Sequence, residues 1–183
     1  MLDYIASHEP TIRLSFFLGT LGVVGIWQSL APKRPPSVST IWRWLNNFGV
    51  TLFNTLLLRL LFPFLAVGVA AFAAEKGWGI LNLIDLPIAL SVLIAVIIQD
   101  LVIYWQHVIF HRVGFLWRFH KMHHADVDYD VSTGARFHPV EIIFSMLLKL
   151  CVVLVLGPPV VAVIIFEILL SSTIFLILAS ATS

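Results

Sequence analysis

Residues 86–112 read LPIALSVLIAVIIQDLVIYWQHVIFHR, with Asp100 as the first charge and His107, His111 and Arg112 at the close. From Leu86 to about Phe110 the run is apolar for longer than the roughly 20 residues that cross the hydrocarbon of a bilayer. A helix satisfies all of its own backbone groups there, so the segment is expected to span a membrane as a helix. The composition agrees: 60% of the 183 residues are hydrophobic and 11% are charged, where a soluble domain carries about 25% charged residues. So few charges cannot wet a globule of this size, which excludes an ordinary soluble enzyme, a disordered chain and a nucleic-acid binder. The fold class is therefore all-α: a polytopic helical membrane bundle of four to five spans. The formal net charge of +1 implies no anionic partner, and the lone Cys151 excludes a thiolate metal cluster.

Four further apolar runs flank this one. They are Thr11–Leu30, about Val50–Ala73 with Arg59 and Pro63 inside, Ile142–Leu156 with Lys149, and Val160–Ala179 with Glu167. Gly157, Pro158 and Pro159 separate the last two, which are expected to form one tight helical hairpin. Arg59 and Lys149 are expected to snorkel to an interface, and Glu167 to be protonated or paired. The tail before the first run holds Asp3 and Glu9, no basic residue and no cleavage site, so that span is read as retained. Gly19, Gly22 and Gly25 suit close helix packing. Lys33, Arg34 and Arg43 follow the first span, Lys76 alone follows the second, and Arg112, Arg118, Lys121 and Arg136 follow the third. This alternation puts residues 31–48 and 112–140 on the cytoplasmic side. All six tryptophans lie near predicted span ends, as interfacial anchors do. The chain reads as one membrane domain, 1–183, with a histidine-rich cytoplasmic segment over roughly 106–141.

Six of the seven histidines fall between positions 107 and 138. At 100° per residue, His107 and His111 lie one turn apart on a helix, with Asp100 and Tyr104 on the same stripe. Asp100 is about 16 Å along the axis from His111. His120, His123 and His124 are also neighbours at i, i+3 and i+4, and Gly114 lets the intervening chain turn the two groups together. Imidazole suits iron, zinc, copper and nickel, and several imidazoles can hold two metals without gathering negative charge beside a bilayer. Asp100 is placed to take a proton from a ligand imidazole and fix its tautomer. His138 precedes Pro139, which suits the first turn of a helix; it is expected to cap that helix, join the metal shell or bond Glu141. Asp126, Asp128 and Asp130 alternate as in a calcium loop, but Val131 and Phe137 stand where the glycine and the bidentate acid belong. A solvated loop is the expectation there. No HExxH, P-loop, dinucleotide fingerprint or nucleophile elbow is present.

The stretches DLVIYWQHVIFHR (100–112), LWRFHKMHH (116–124) and TGARFHPVE (133–141) closely resemble the fatty acid hydroxylase superfamily, nearest its sterol desaturase-like branch of bacterial membrane proteins. APKRPP (31–36), RWLNN (43–47) and GWGIL (77–81) resemble the same branch, so the likeness runs along essentially the whole chain, is hydroxylase-like from about residue 90 onward and is most specific from Asp100 to Glu141. The resemblance implies a helical membrane bundle whose cytosolic cap holds two non-haem irons. With O2 and an external electron donor, that centre hydroxylates or desaturates C–H bonds of sterol, fatty acyl or alkylglycerol lipids in lipid biosynthesis. His107 and His111 match the first histidine box, and His120, His123 and His124 the second. Asp100 and Arg136–Glu141 match further family positions, and Asp100 and His138 are the candidate catalytic residues. The implied location is the bacterial inner membrane, with the histidines facing the cytoplasm.

The family carries more histidines after its last hairpin, including another HxxHH, whereas here none follows His138. The chain therefore reads as the N-terminal two-thirds of a family member. Three other readings stay open: an intramembrane zinc hydrolase, for which three or four ligands suffice; a b-haem binder; and an inactive remnant of the oxygenase family.

Overall fold

The computed structural model describes Ile5, residues 7–31 and residues 36–182, with side chains through Ile177. Asp3, Lys33 and Arg34, used above to orient the chain, lie outside the described residues. Every regular element among the described residues is helical. In order they are α1 (Glu9–Leu30), α2 (Thr40–Leu61), α3 (Ala66–Lys76), α4 (Ile80–Leu83), α5 (Ile88–Arg112), α6 (Gly114–His120), a 3-10 turn (Val131–Ala135), α7 (Pro139–Leu156) and α8 (Val160–Thr182). Five stretches are long and apolar enough to cross a membrane: α1, Thr40–Leu83, α5, α7, and α8 as far as Ile177. The protein is an integral membrane helical bundle.

The second span departs from expectation. A single run over about 50–73 is instead α2, beginning ten residues earlier, and a separate α3. Pro63 explains the break: it has no amide proton to continue the helix and drives the preceding residue out of the helical region. Phe62 accordingly sits at φ −121° and ψ 104°.

Packing is inverted relative to a soluble protein because the surrounding solvent is hydrocarbon. Leu30, Leu60 and Leu83 point outward, while Ala66, Ala70, Ala73, Ala95 and Ala162 are buried together with Asn47, Asn54, Gln99 and Gln106. Small side chains let helices approach closely where no hydrophobic force drives them together. Ala66 and Ala70 of α3 pack with Val153 of α7 and Val163 of α8, so the last two helices share α3 as a common neighbour. Their junction is closed by glycine. Gly157 caps α7 at φ 61° and Gly79 sits at φ 97°. A Cβ on Gly79 would overlap the Gly157 backbone, and one on Gly157 would lie 2.6 Å from Asn82 Nδ2. Gly79→Ala combines overpacking with a disfavoured φ and is expected to cost about 3 kcal/mol. Thermal unfolding in detergent reads that loss, and a wild-type melting curve would refute the close approach.

Three intramembrane charges, Arg13, Lys149 and Glu167, pair internally. Lys149 Nζ donates to Glu167 Oε1 at 2.8 Å, and Arg13 lies 2.8 Å from Glu167 Oε2 while also bonding Glu9. This corrects the expectation that Lys149 snorkels: its ammonium is mostly buried against Glu167. Pairing is how a helical bundle tolerates ionisable groups at membrane depth.

One face of α2 carries Arg43, Asn47, Thr51 and Asn54 at helical spacing, and the segment 126–137 docks on it. Arg43 pairs with Asp130 and reaches Asp126 at 3.5 Å. Asn47 Nδ2 donates to Asp126 at 3.0 Å and to Ser132 Oγ at 2.9 Å. Thr51 and Asn54 donate to the carbonyls of Ala135 and Phe137, each at 2.8 Å. Asp130 also caps the 3-10 turn by accepting from the Ser132 amide at 2.8 Å, and Asp128 accepts from the Ser37 amide at 2.8 Å. The three aspartates therefore clamp the loop, where a solvated loop was expected. Residues 37–54 and 126–137 consequently share one end of the bundle.

Candidate metal centre

The site is built at the α5–α6 corner. α5 ends at Arg112, and Val113 adopts an extended backbone before Gly114 starts α6. This sharp turn swings His120 and the residues after it back over the last turn of α5. The Nε2 atoms of His107 and His111 are 3.1 Å apart, those of His111 and His120 are 3.2 Å apart, and those of His120 and His124 are 3.2 Å apart. One ligand atom from each of these four rings lies within 4.8 Å of every other.

Glu141, in the first turn of α7, explains how His120 is presented. Its Oε1 accepts from His120 Nδ1 at 2.7 Å, and both side chains are buried. The proton is thus held on Nδ1, and the Nε2 lone pair faces the other imidazoles. That lone pair sits 3.2 Å from two further ring nitrogens, and it cannot accept well from both. A cation among the four satisfies them all: nitrogen ligands about 2.0–2.1 Å from a tetrahedral metal lie roughly 3.3 Å from each other. The donor set fits one metal ion. Packing fixes the rings, with Trp117 stacked on His124 at 5.8 Å and Phe110 edge-on to His120 at 5.7 Å. His107 and His111 are exposed, so the cluster is open on that side.

The remaining candidates lie around this group. The ring of His123 is 5.1 Å from His124 but stacks on Phe137 at 4.5 Å. Its Nδ1 is buried and accepts no hydrogen bond. His138 caps α7, its Nδ1 accepting from the Val140 amide at 3.1 Å, and lies outside the four-ring group. Asp100 is exposed on α5, about 10 Å along the helix from His107. Sequence reasoning missed Glu141 as the partner of His120. The signal was the buried-acid position three residues after a proline-started helix cap.

Burial, and next the neighbouring His124 and His120, lower the His123 pKa to about 4, against the opposing hydrogen bond with the Arg136 backbone. Burial also lowers that of His124. Both rings are therefore neutral at pH 7 and able to act as ligands. An unfolded chain takes up the His123 proton near pH 6.5, the folded one only near pH 4. Between these values the unfolded state binds more protons, so stability falls as pH drops. The metal-free protein should melt at progressively lower temperature from pH 6.5 to pH 4. A flat profile would place His123 in water.

Glu141→Gln keeps the shape but weakens the hold on the His120 tautomer. Metal affinity should fall about 10- to 100-fold, read by competition with a chelator; unchanged affinity would remove Glu141 from the site.

A family profile described as fatty acid hydroxylase matches residues 92–181, the segment that holds every residue of this centre. The ornithine lipid hydroxylase OlsE of Rhizobium tropici is 32% identical over 73 residues, which make up 40% of this chain and 22% of that protein. The matched region thus spans less than a quarter of that relative's length. No solved structure matches the chain.

Proposed function

Residues 92–181 belong to the fatty acid hydroxylase superfamily, and from that premise we propose that the chain is part of an iron- and O2-dependent hydroxylase of lipid C–H bonds. The observation that carries the proposal is the convergence of His107, His111, His120 and His124 on one point within the family segment. These four rings would hold one iron, and the buried, unpartnered Nδ1 of His123 offers a donor toward a second. Bound iron supplies O2 activation and hydrogen abstraction from an unactivated C–H bond. The chain itself orients and shields. Glu141 keeps the proton on His120 Nδ1, His138 starts the helix that carries Glu141, and Phe110 and Trp117 shield the rings of His120 and His124. A lipid chain approaches from the exposed His107–His111 side, and exposed Arg112, Arg118 and Lys121 attract its anionic neighbours at the interface. The clustered basic residues orient this end toward the cytoplasm of a bacterial inner membrane, where an external donor supplies electrons. The substrate is an acyl, sterol or alkylglycerol-type lipid of the bilayer.

One observation favours a second reading. Three of the four imidazoles suffice to hold a zinc ion and leave its fourth position to a water. Metal analysis combined with isotopically labelled O2 separates the two. The hydroxylase reading expects iron and one labelled oxygen atom in the lipid product of proteoliposomes. Tightly bound zinc with no O2 uptake would replace it with the hydrolytic reading.

A further inference from the structure

A cavity of about 250 Å³ lies within the bundle between α1, α2, α7, α8 and the loop 134–137. Its volume is several times the roughly 30 Å³ share of one water molecule. Its walls are apolar, including Leu58, Ile142, Leu170 and Ile174. One end is closed by Arg13, Lys149 and Glu167, whose charges are already spent on each other. The other end carries Thr51, Asn54 and Thr55.

The hydrogen-bonding sense of that end is unusual. The Thr51 hydroxyl shares its one proton between the carbonyls of Asn47 and Ala135, and the Thr55 hydroxyl donates to that of Thr51. The hydroxyl of Ser171, also in the wall, donates to Ile168. Their protons are committed, so each shows the cavity only lone pairs. Asn54 is 4% exposed, one of its two Nδ2 protons goes to the Phe137 carbonyl, and its Oδ1 accepts nothing among the described residues. An orphaned buried acceptor destabilises the fold unless a donor arrives.

We propose that this cavity binds one uncharged lipid from the bilayer through a hydroxyl or amide N–H that donates to Asn54 Oδ1, with its chain along α2 and α8. An anionic or acceptor-only group cannot satisfy Asn54 Oδ1 and meets the hydroxyl lone pairs of Thr51, Thr55 and Ser171, so it is disfavoured. Phe137, which closes this end, stacks on His123, so the bound molecule sits two rings from the metal centre. Its role in selecting substrate rests on the hydroxylase reading; the binding itself does not.

The test uses the full chain in nanodiscs, with and without metal, and a photoreactive diazirine analogue of 1-dodecanol as probe. Crosslinked peptides should come from α2 and α8. Unlabelled 1-dodecanol should compete roughly five- to tenfold better than its methyl ether, as one neutral hydrogen bond implies. Asn54→Leu should abolish that preference, and Leu170→Trp, which fills the cavity, should abolish labelling; both should retain the ion held by His107, His111, His120 and His124. Equal competition by alcohol and ether, labelling elsewhere, or no labelling because the cavity holds only water would overturn the proposal. If Asn54→Leu fails to fold, the alcohol–ether comparison on wild type and the Leu170→Trp variant decide it. Labelling of metal-free protein keeps this outcome separate from any failure of O2 chemistry.

Discussion

His120→Ala is expected to abolish tight metal binding. The substitution removes the ring whose Nε2 lies 3.2 Å from both His111 and His124, so the cluster loses its centre. It also strands Glu141, whose Oε1 has no other partner and whose Oε2 has none at all. Loss of the carboxylate that orients a ligand imidazole costs about 10- to 100-fold in affinity, and loss of this ligand should exceed that. Metal content of purified protein, measured by mass spectrometry, should fall to background. His123→Ala is the informative companion, because its ring stands outside the group of four. On the two-iron reading it should leave the first ion in place and remove the second, halving the metal content. Full metal retention in His120→Ala would mean that the four rings are a packing cluster.

Arg43→Ala should be the most damaging substitution outside the histidines. Arg43 is the shared cation for Asp126 and Asp130, with side chains almost fully buried. Removing one member of a buried ion pair leaves uncompensated charge, at a cost of about 3–5 kcal/mol. The segment 126–137 should then detach from α2, carrying away Phe137 and the His123 ring stacked on it. Limited proteolysis should show new cleavage between residues 125 and 136, together with a lower melting temperature. Arg43→Lys should rescue little, since a point ammonium cannot bridge two carboxylates as a guanidinium fork does. Wild-type protease resistance in Arg43→Ala would show that the clamp contributes nothing.

The spans were legible because hydrocarbon imposes a single requirement, a long apolar run, and α5, α7 and α8 meet it plainly. The meeting of HxxxH with HxxHH was legible too, because helical spacing puts each pair on one face and Gly114 lets the chain turn. What spacing could not show was which member of the second group turns away. His123 leaves the cluster because Phe137 offers it a stacking surface, and Phe137 is held there by Asn54 across the bundle. The aspartates misled for a related reason. Asp126 and Asp130 look like a solvated loop until Arg43, more than 80 residues earlier, is brought against them. Arg13, inside the first apolar run, escaped notice because its partner Glu167 lies on the last helix. Polar residues in this protein are explained by distant partners, and one-dimensional patterns carry no record of those.

X-ray absorption at the metal edge of the iron-loaded protein tests the central claim most directly. Four imidazoles around one ion predict a first shell of about four nitrogens with the multiple-scattering pattern of histidine rings, reduced by one ring in His124→Ala. A shell of oxygens without imidazole scattering, or one unchanged by that substitution, would contradict the account.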